Sequence, residues 1–141
     1  MQHLCNAILI HCMDFRLMSE VRRWMQDQGL LGDCDVVSIA GASKELADGT
    51  EGDMDLLLKQ IRTSCRLHQT CKVYLVHHSD CGAYKSVYKS TTNEERKDIQ
   101  LDDMEKARKI IREKFPHVEV VKVWAHLQDS EGEKIEFIEI Q

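Results

Sequence analysis

The stretch "KVYLVHHSDCGAY" (72–84) decides how this chain folds. It begins as a short, nearly continuous apolar run of the kind that forms a buried strand. Two histidines, a Ser-Asp pair, a cysteine and a glycine follow at once, so groups capable of chemistry sit at the strand's exit. "NAILIH" (6–11) repeats the arrangement: a second buried strand runs directly into Cys12 of "HCMDFR" (11–16).

The rest of the chain fits around these two strands. "CDVVSIA" (34–40) reads as another strand, ending at Gly41. "MSEVRRWMQDQG" spaces Met18, Val21 and Met25 for one helical face, with Gly29 placed to stop it. "GDMDLLLKQIRTSCRLH" (52–68) puts Met54, Leu57, Leu58, Ile61 and Cys65 on one stripe of a helix. From Asn93 to Phe115 a long charged helix turns Leu101, Met104, Ile111 and Phe115 inward, and Pro116 cannot continue it. "VEVVKVWAH" (118–126) and "KIEFIEI" (134–140) are strands joined by the turn-like "LQDSEGE". The order β-α-β-α-β-α-β-β predicts an α/β fold, with a mainly parallel central sheet flanked by helices and an antiparallel last strand. Residues 1–141 are expected to form one domain, because no linker or repeat divides them.

Composition narrows the function classes. Charged residues are 30% and hydrophobic ones 43%, and the net charge is −5, which gives no basis for nucleic-acid binding. The apolar run at Ile8–Ile10 is too short to span a membrane and lacks the flanks of a signal peptide, so a cytoplasmic protein is expected. Six cysteines, at positions 5, 12, 34, 65, 71 and 81, then read as buried thiols, metal ligands or nucleophiles rather than a disulfide framework.

Right-handed crossovers bring the exits of the first three strands to one end of the sheet, where open α/β sheets bind ligands. Cys12 and the His77-His78-Cys81 group then meet in space. One cysteine from the first loop and a His-x-x-Cys from the other make a Cys2His set, the donor chemistry that zinc favours with a fourth position open. A hydrogen-bonded histidine beside a buried thiol is the plainer alternative for a lone His-x-x-Cys. Adjacent strand residues point to opposite faces, so one of His77 and His78 binds and pattern alone does not choose between them. His11 and His126 read as packing or supporting residues, and His3, His68 and His117 as surface ones. Asp14 and Arg16 pair if their loop is extended; an Asp two residues from a ligand can orient a water or take the fourth position, whereas a surface ion pair is the plainer alternative. "IAGASKELADGTEG" (39–52) reads equally as a functional loop or as a strand exit followed by one helical turn in "SKELA".

Taken together, "CMDFR" and "HHSDCG" resemble the paired signatures of the β-class carbonic anhydrases, Cys-x-Asp-x-Arg and His-x-x-Cys. "IAGA" stands where that family usually has an Asn-Ala-Gly loop, and "VWAHLQDSEGEKIEFIEI" is similar to its closing strand–turn–strand. The resemblance runs from about residue 6 to 140 and is closest to the short members of the family. It implies Zn2+ held by Cys12, His78 and Cys81, with His77 left to packing. It also implies reversible hydration of carbon dioxide to bicarbonate by a zinc-bound hydroxide that the Asp14–Arg16 dyad orients, in a homodimer or higher even homo-oligomer. Phe15, Ile39, Ala40, Gly41 and Gly82 are the expected lining of the substrate pocket, with Tyr84 as a further apolar wall.

Three departures from the family pattern keep other readings in play. Ser38-Ile39 replaces the usual Arg-Asn, Phe15 stands where a small residue is common, and the first strand begins too early for the long N-terminal arm of many members. The alternatives are a closed, weakly active or structural zinc site, in which Asp14 itself ligates, and a hydrolase of carbonyl sulfide or carbon disulfide. A metal-free thiol protein using Cys81 with His78 as base would leave Cys12, Asp14 and Arg16 without a role.

Overall fold

The computed structural model describes residues 2–141. Five strands, β1 (Ala7–His11), β2 (Cys34–Ser38), β3 (Lys72–His78), β4 (Glu119–Leu127) and β5 (Ile135–Ile140), form one sheet in the order β2-β1-β3-β4-β5. The first four are parallel and β5 returns antiparallel to β4, as the short connection before it requires. Both central strands are continuous apolar runs because the sheet is covered on both faces.

Period-two alternation sorts the core. Ile8, Ile10, Val73 and Leu75 point to one face. There they meet Leu57 and Ile61 of α3 (Glu51–His68) and Met104 and Ile111 of α5 (Asn93–Lys114). Leu9, Val76, Val123 and Ala125 point to the other face, against Val21 and Met25 of α1 (Met18–Asp27). Each such side chain contributes about 1.5–3 kcal/mol when fully buried. A capping box at Thr92 and Glu95 starts α5, and Thr50 caps α3. β1 lies between β2 and β3, so the chain leaves it toward one neighbour and returns past it to the other. The crevice at the carboxyl ends of β1 and β3 is therefore a topological switch point.

Of the two readings of the connection after β2, the strand exit followed by a helical turn is the one the chain adopts: α2 (Lys44–Asp48) buries Leu46, and α3 follows within three residues. Met18 is 64% exposed, because a 3-10 turn over Phe15–Leu17 leads into α1 and Leu17, not Met18, points inward. A short helix, α4 (Gly82–Lys85), begins directly after Cys81. Among the described residues no helix is long and apolar enough to cross a membrane.

Candidate metal centre

Cys12 follows β1, His78 is the last residue of β3, and Cys81 precedes α4. The switch point brings their donor atoms within 4.8 Å of one another, all buried. The alternation decides between the two histidines. His78 shares its face with Leu9 and Val76 and so reaches the cysteines; His77 turns to the α5 side. His78 Nδ1 lies 2.7 Å from the Ser79 carbonyl, which can only accept, so Nδ1 carries the proton and Nε2 presents a lone pair. That Nε2 is buried with no hydrogen-bond partner. A buried, unpaired acceptor costs about 1–3 kcal/mol unless something occupies it. The two sulfurs are 3.9 Å apart, close to the roughly 3.8 Å that two thiolates span on a tetrahedral zinc. A soft ion thus fits the donor set, and His78 holds the tautomer that metal-ligating histidines adopt. A hydrogen bond from the Cys81 thiol favours ionisation at Cys12 against the opposing effect of burial, while the same contact with Cys12, together with burial, opposes it at Cys81.

Asp14 and Arg16 do pair, though not in an extended loop. Asp14 caps the 3-10 turn, its Oδ1 accepting the Arg16 N–H at 3.0 Å, and this curls the guanidinium back onto the carboxylate. Arg16 Nη2 donates to Asp14 Oδ2 at 2.7 Å and Nε donates to both oxygens. The guanidinium beside it holds the Asp14 carboxyl below the usual carboxylate range. Oδ2 stands 4.0 Å from the free Nε2 of His78. Arg16 is held in turn by Asp80, through Oδ2 at 3.0 Å and its carbonyl at 3.1 Å, and by the Ser130 carbonyl at 3.3 Å.

Several supporting residues escaped the sequence reading. Gln100, buried in α5, donates through Nε2 to the His78 carbonyl at 2.9 Å. Its Oε1 must therefore accept from His77 Nδ1, 3.0 Å away, which leaves His77 Nε2 to accept from the Ser43 hydroxyl at 2.6 Å. Burial pushes His77 down to about 4, so it is neutral and packs as expected. Gly132 lies in the β4–β5 turn at φ +75°, and a Cβ there would fall 2.6 Å from the Arg16 carbonyl oxygen. The turn is itself held by Asp129, whose carboxylate accepts the N–H groups of Glu131, Glu133 and Lys134. Only Asp80, inside the His-Ser-Asp-Cys stretch, carried a local signal.

An open cavity of about 720 Å³ lies over the centre, and Cys12, Asp14, Phe15, Ala40, Gly82 and Ala83 are among its walls. Phe15, Ala40 and Gly82 thus sit where expected, but Ile39 and Gly41 do not line it. Ile39 packs against the core, and Gly41 is buried at φ +76°, where its N–H donates to Cys12 Sγ at 3.4 Å. Tyr84 is no wall either, being fully buried with its hydroxyl donating to Asp103. His11 is buried against the Cys12 carbonyl, whereas His126, expected to pack or support, is exposed near the end of β4. His3 and His117 are exposed. His68 is half-buried on Asp35, not free on the surface.

Residues 2–136 match the family described as "Putative carbonic anhydrase". An uncharacterized protein of Rickettsia bellii (strain RML369-C) is 34% identical over 131 residues, covering 90% of this chain and 78% of the relative. Another, from Rickettsia conorii (strain ATCC VR-613 / Malish 7), is 32% identical and covered to 69% of its length by 90% of this chain. Among solved structures, one of the tetrameric β-carbonic anhydrases of Sordaria macrospora superposes with a TM-score of 0.60 at 16% identity, over 99% of this chain and 84% of that one. The β-carbonic anhydrase CafD of Aspergillus fumigatus gives 0.57 at 9% identity, over 97% and 90%. At these identities the likeness is one of fold.

Proposed function

The chain belongs to this carbonic anhydrase family, and from that premise we propose that it is a zinc-dependent lyase hydrating carbon dioxide reversibly to bicarbonate. Cys12, His78 and Cys81 hold the ion. The observation that carries this reading is the buried, partnerless Nε2 of His78, facing two sulfurs 3.9 Å apart with an ionised carboxylate alongside. When bound, zinc supplies a Lewis acid that lowers the pKa of a coordinated water from 15.7 to about 7.

The chain's own residues do the rest. Asp14, kept ionised by Arg16, can only accept hydrogen bonds. It accepts the hydrogen bond of the attacking hydroxide, which keeps its proton, and turns that oxygen's lone pair toward carbon. As the new C–O bond forms, one C=O bond of carbon dioxide becomes the C–O⁻ of bicarbonate. Arg16 keeps the carboxylate from rotating, and Asp80 and the Ser130 carbonyl keep Arg16 in place. Phe15, Ala40 and Gly82 give a nonpolar gas an apolar approach. The fourfold engagement of Asp14 by Arg16 favours this open arrangement over a closed one in which Asp14 ligates the ion.

We infer a homo-oligomer as well. Met13 and Phe15, on the cavity wall, are 63% and 83% exposed, apolar surface that a partner subunit would cover. Chelation followed by zinc return tests the function. Activity toward carbon dioxide should vanish and come back, and Cys81→Ser should abolish both it and zinc at this centre. Activity that survives complete chelation overturns the reading; turnover of carbonyl sulfide but not carbon dioxide reassigns the substrate.

A further inference from the structure

A second group of mixed donors lies at the opposite end of the sheet, where the parallel strands begin. Cys5 precedes β1, Asp35 is the second residue of β2, and His68 is the last residue of α3. Their donor atoms lie within 4.8 Å of one another, and all three side chains are half-buried. A cavity of about 160 Å³ opens onto them, with His3 and Cys34 also on its walls. Nothing in the carbon dioxide chemistry uses these residues.

We propose that Cys5, Asp35 and His68 form a second divalent-cation site, suited to Zn2+, with its fourth position open to water from the cavity. The donor set is the first reason. Thiolate, imidazole and carboxylate together match zinc's borderline character, whereas calcium and magnesium take oxygen ligands alone. Charge is the second. A Cys5 thiolate and the Asp35 carboxylate balance a dipositive ion, which makes a half-buried position tolerable. The helix is the third: α3 ends at His68, and the partial negative charge of a helix C-terminus favours a cation there.

Hydrogen bonding already orients the ligands. Asp35 Oδ2 accepts from Ser64 Oγ at 2.6 Å and pairs with His68 Nδ1 at 2.7 Å, and the Cys5 N–H donates to the His68 carbonyl at 3.1 Å. Ser64 and His68 alone would satisfy the carboxylate. The Cys5 thiol contacts the Ala7 carbonyl at 3.5 Å and lies against Asp35, which places its sulfur as the third donor of the triangle. Burial and then the Asp35 charge push that thiol up from its ordinary value. Zinc must therefore displace its proton: the S–H bond breaks, sulfur donates a lone pair to the ion, and the proton leaves to solvent. Binding thus releases the Cys5 proton, and affinity rises with pH.

The test is a metal count on untagged protein saturated with zinc and freed of excess by gel filtration. The wild-type chain should hold about two zinc ions. Cys5→Ser and His68→Gln should each hold about one, with carbon dioxide hydration within twofold of wild type. A wild-type count of one, or a count unchanged by both substitutions, overturns the site. A cobalt titration of the Cys12→Ser/Cys81→Ser chain gives a second readout, free of the first centre. Thiolate-to-cobalt charge-transfer absorption should appear there and disappear when Cys5→Ser is added; its absence at the outset also overturns the site. Loss of zinc and activity on Cys81→Ser belongs to the other centre, so failure of either proposal is recognised separately.

Discussion

Gln100, on α5, donates to the main-chain carbonyl of His78, on β3, across 2.9 Å, and the same amide accepts from His77 at 3.0 Å. One buried side chain thus braces two consecutive residues on opposite faces of the strand. It fixes both the tautomer of His77 and the position from which His78 presents its free nitrogen.

Replacing Gln100 by Ala strands two buried polar groups, each at a cost of about 1–3 kcal/mol. Gln100→Ala should therefore lower the melting temperature and weaken zinc binding about 10–100-fold, the usual cost of removing a group that orients a metal ligand. Chelator competition measures the affinity. Gln100→Glu, which cannot donate to the His78 carbonyl, should weaken binding too. Unchanged affinity in both variants would reduce Gln100 to a packing residue.

Two glycine substitutions should act in opposite directions. Gly132→Ala places a Cβ against the Arg16 carbonyl at a positive φ, which costs about 1–2 kcal/mol from the backbone alone. Its effect should extend to turnover, since the displaced group carries Arg16. Gly52→Ala, in the first turn of α3 with nothing within 4 Å, should instead stabilise by up to about 0.5–1 kcal/mol and leave activity unchanged. Thermal melts paired with rates separate the two.

The acid limb of the stability curve should carry a contribution from Glu105. Hydrogen bonds from Arg108 and Lys122 lower its pKa from 4.5 to about 2. A carboxyl whose pKa is depressed on folding adds stability above its unfolded value, and that stability is lost as pH falls from about 4.5 toward 2. The group is a third exposed, so the effect is small. Glu105→Gln should flatten unfolding free energy against pH within that window and leave it parallel to wild type above pH 6.

The strands, the three long helices and the parallel-then-antiparallel order were legible because each rests on a local pattern, such as the apolar runs of β1 and β3 or the stripe at Leu57, Leu58 and Ile61. The residues that meet at the centre were legible as well, since strand exits at one sheet end bring Cys12 to Cys81. Choosing His78 over His77 needed either the family resemblance or knowledge of which face carries α1. Gln100, Ser43 and Gly132 were invisible: each acts through a partner more than 20 residues away, and none differs locally from an ordinary helix, loop or turn residue. Asp14 and Arg16 were expected to pair for the wrong reason, because a capping Asp curls the chain that alternation would have left straight.

Stopped-flow hydration of carbon dioxide at neutral and alkaline pH, run on zinc-loaded wild type and on Asp14→Ala, tests the central claim most directly. Wild type should exceed buffer at both pH values. Asp14→Ala should keep its zinc yet turn over about 10²-fold more slowly, the scale of losing the group that orients the attacking oxygen. A zinc-loaded wild-type chain indistinguishable from buffer at both pH values would contradict the account.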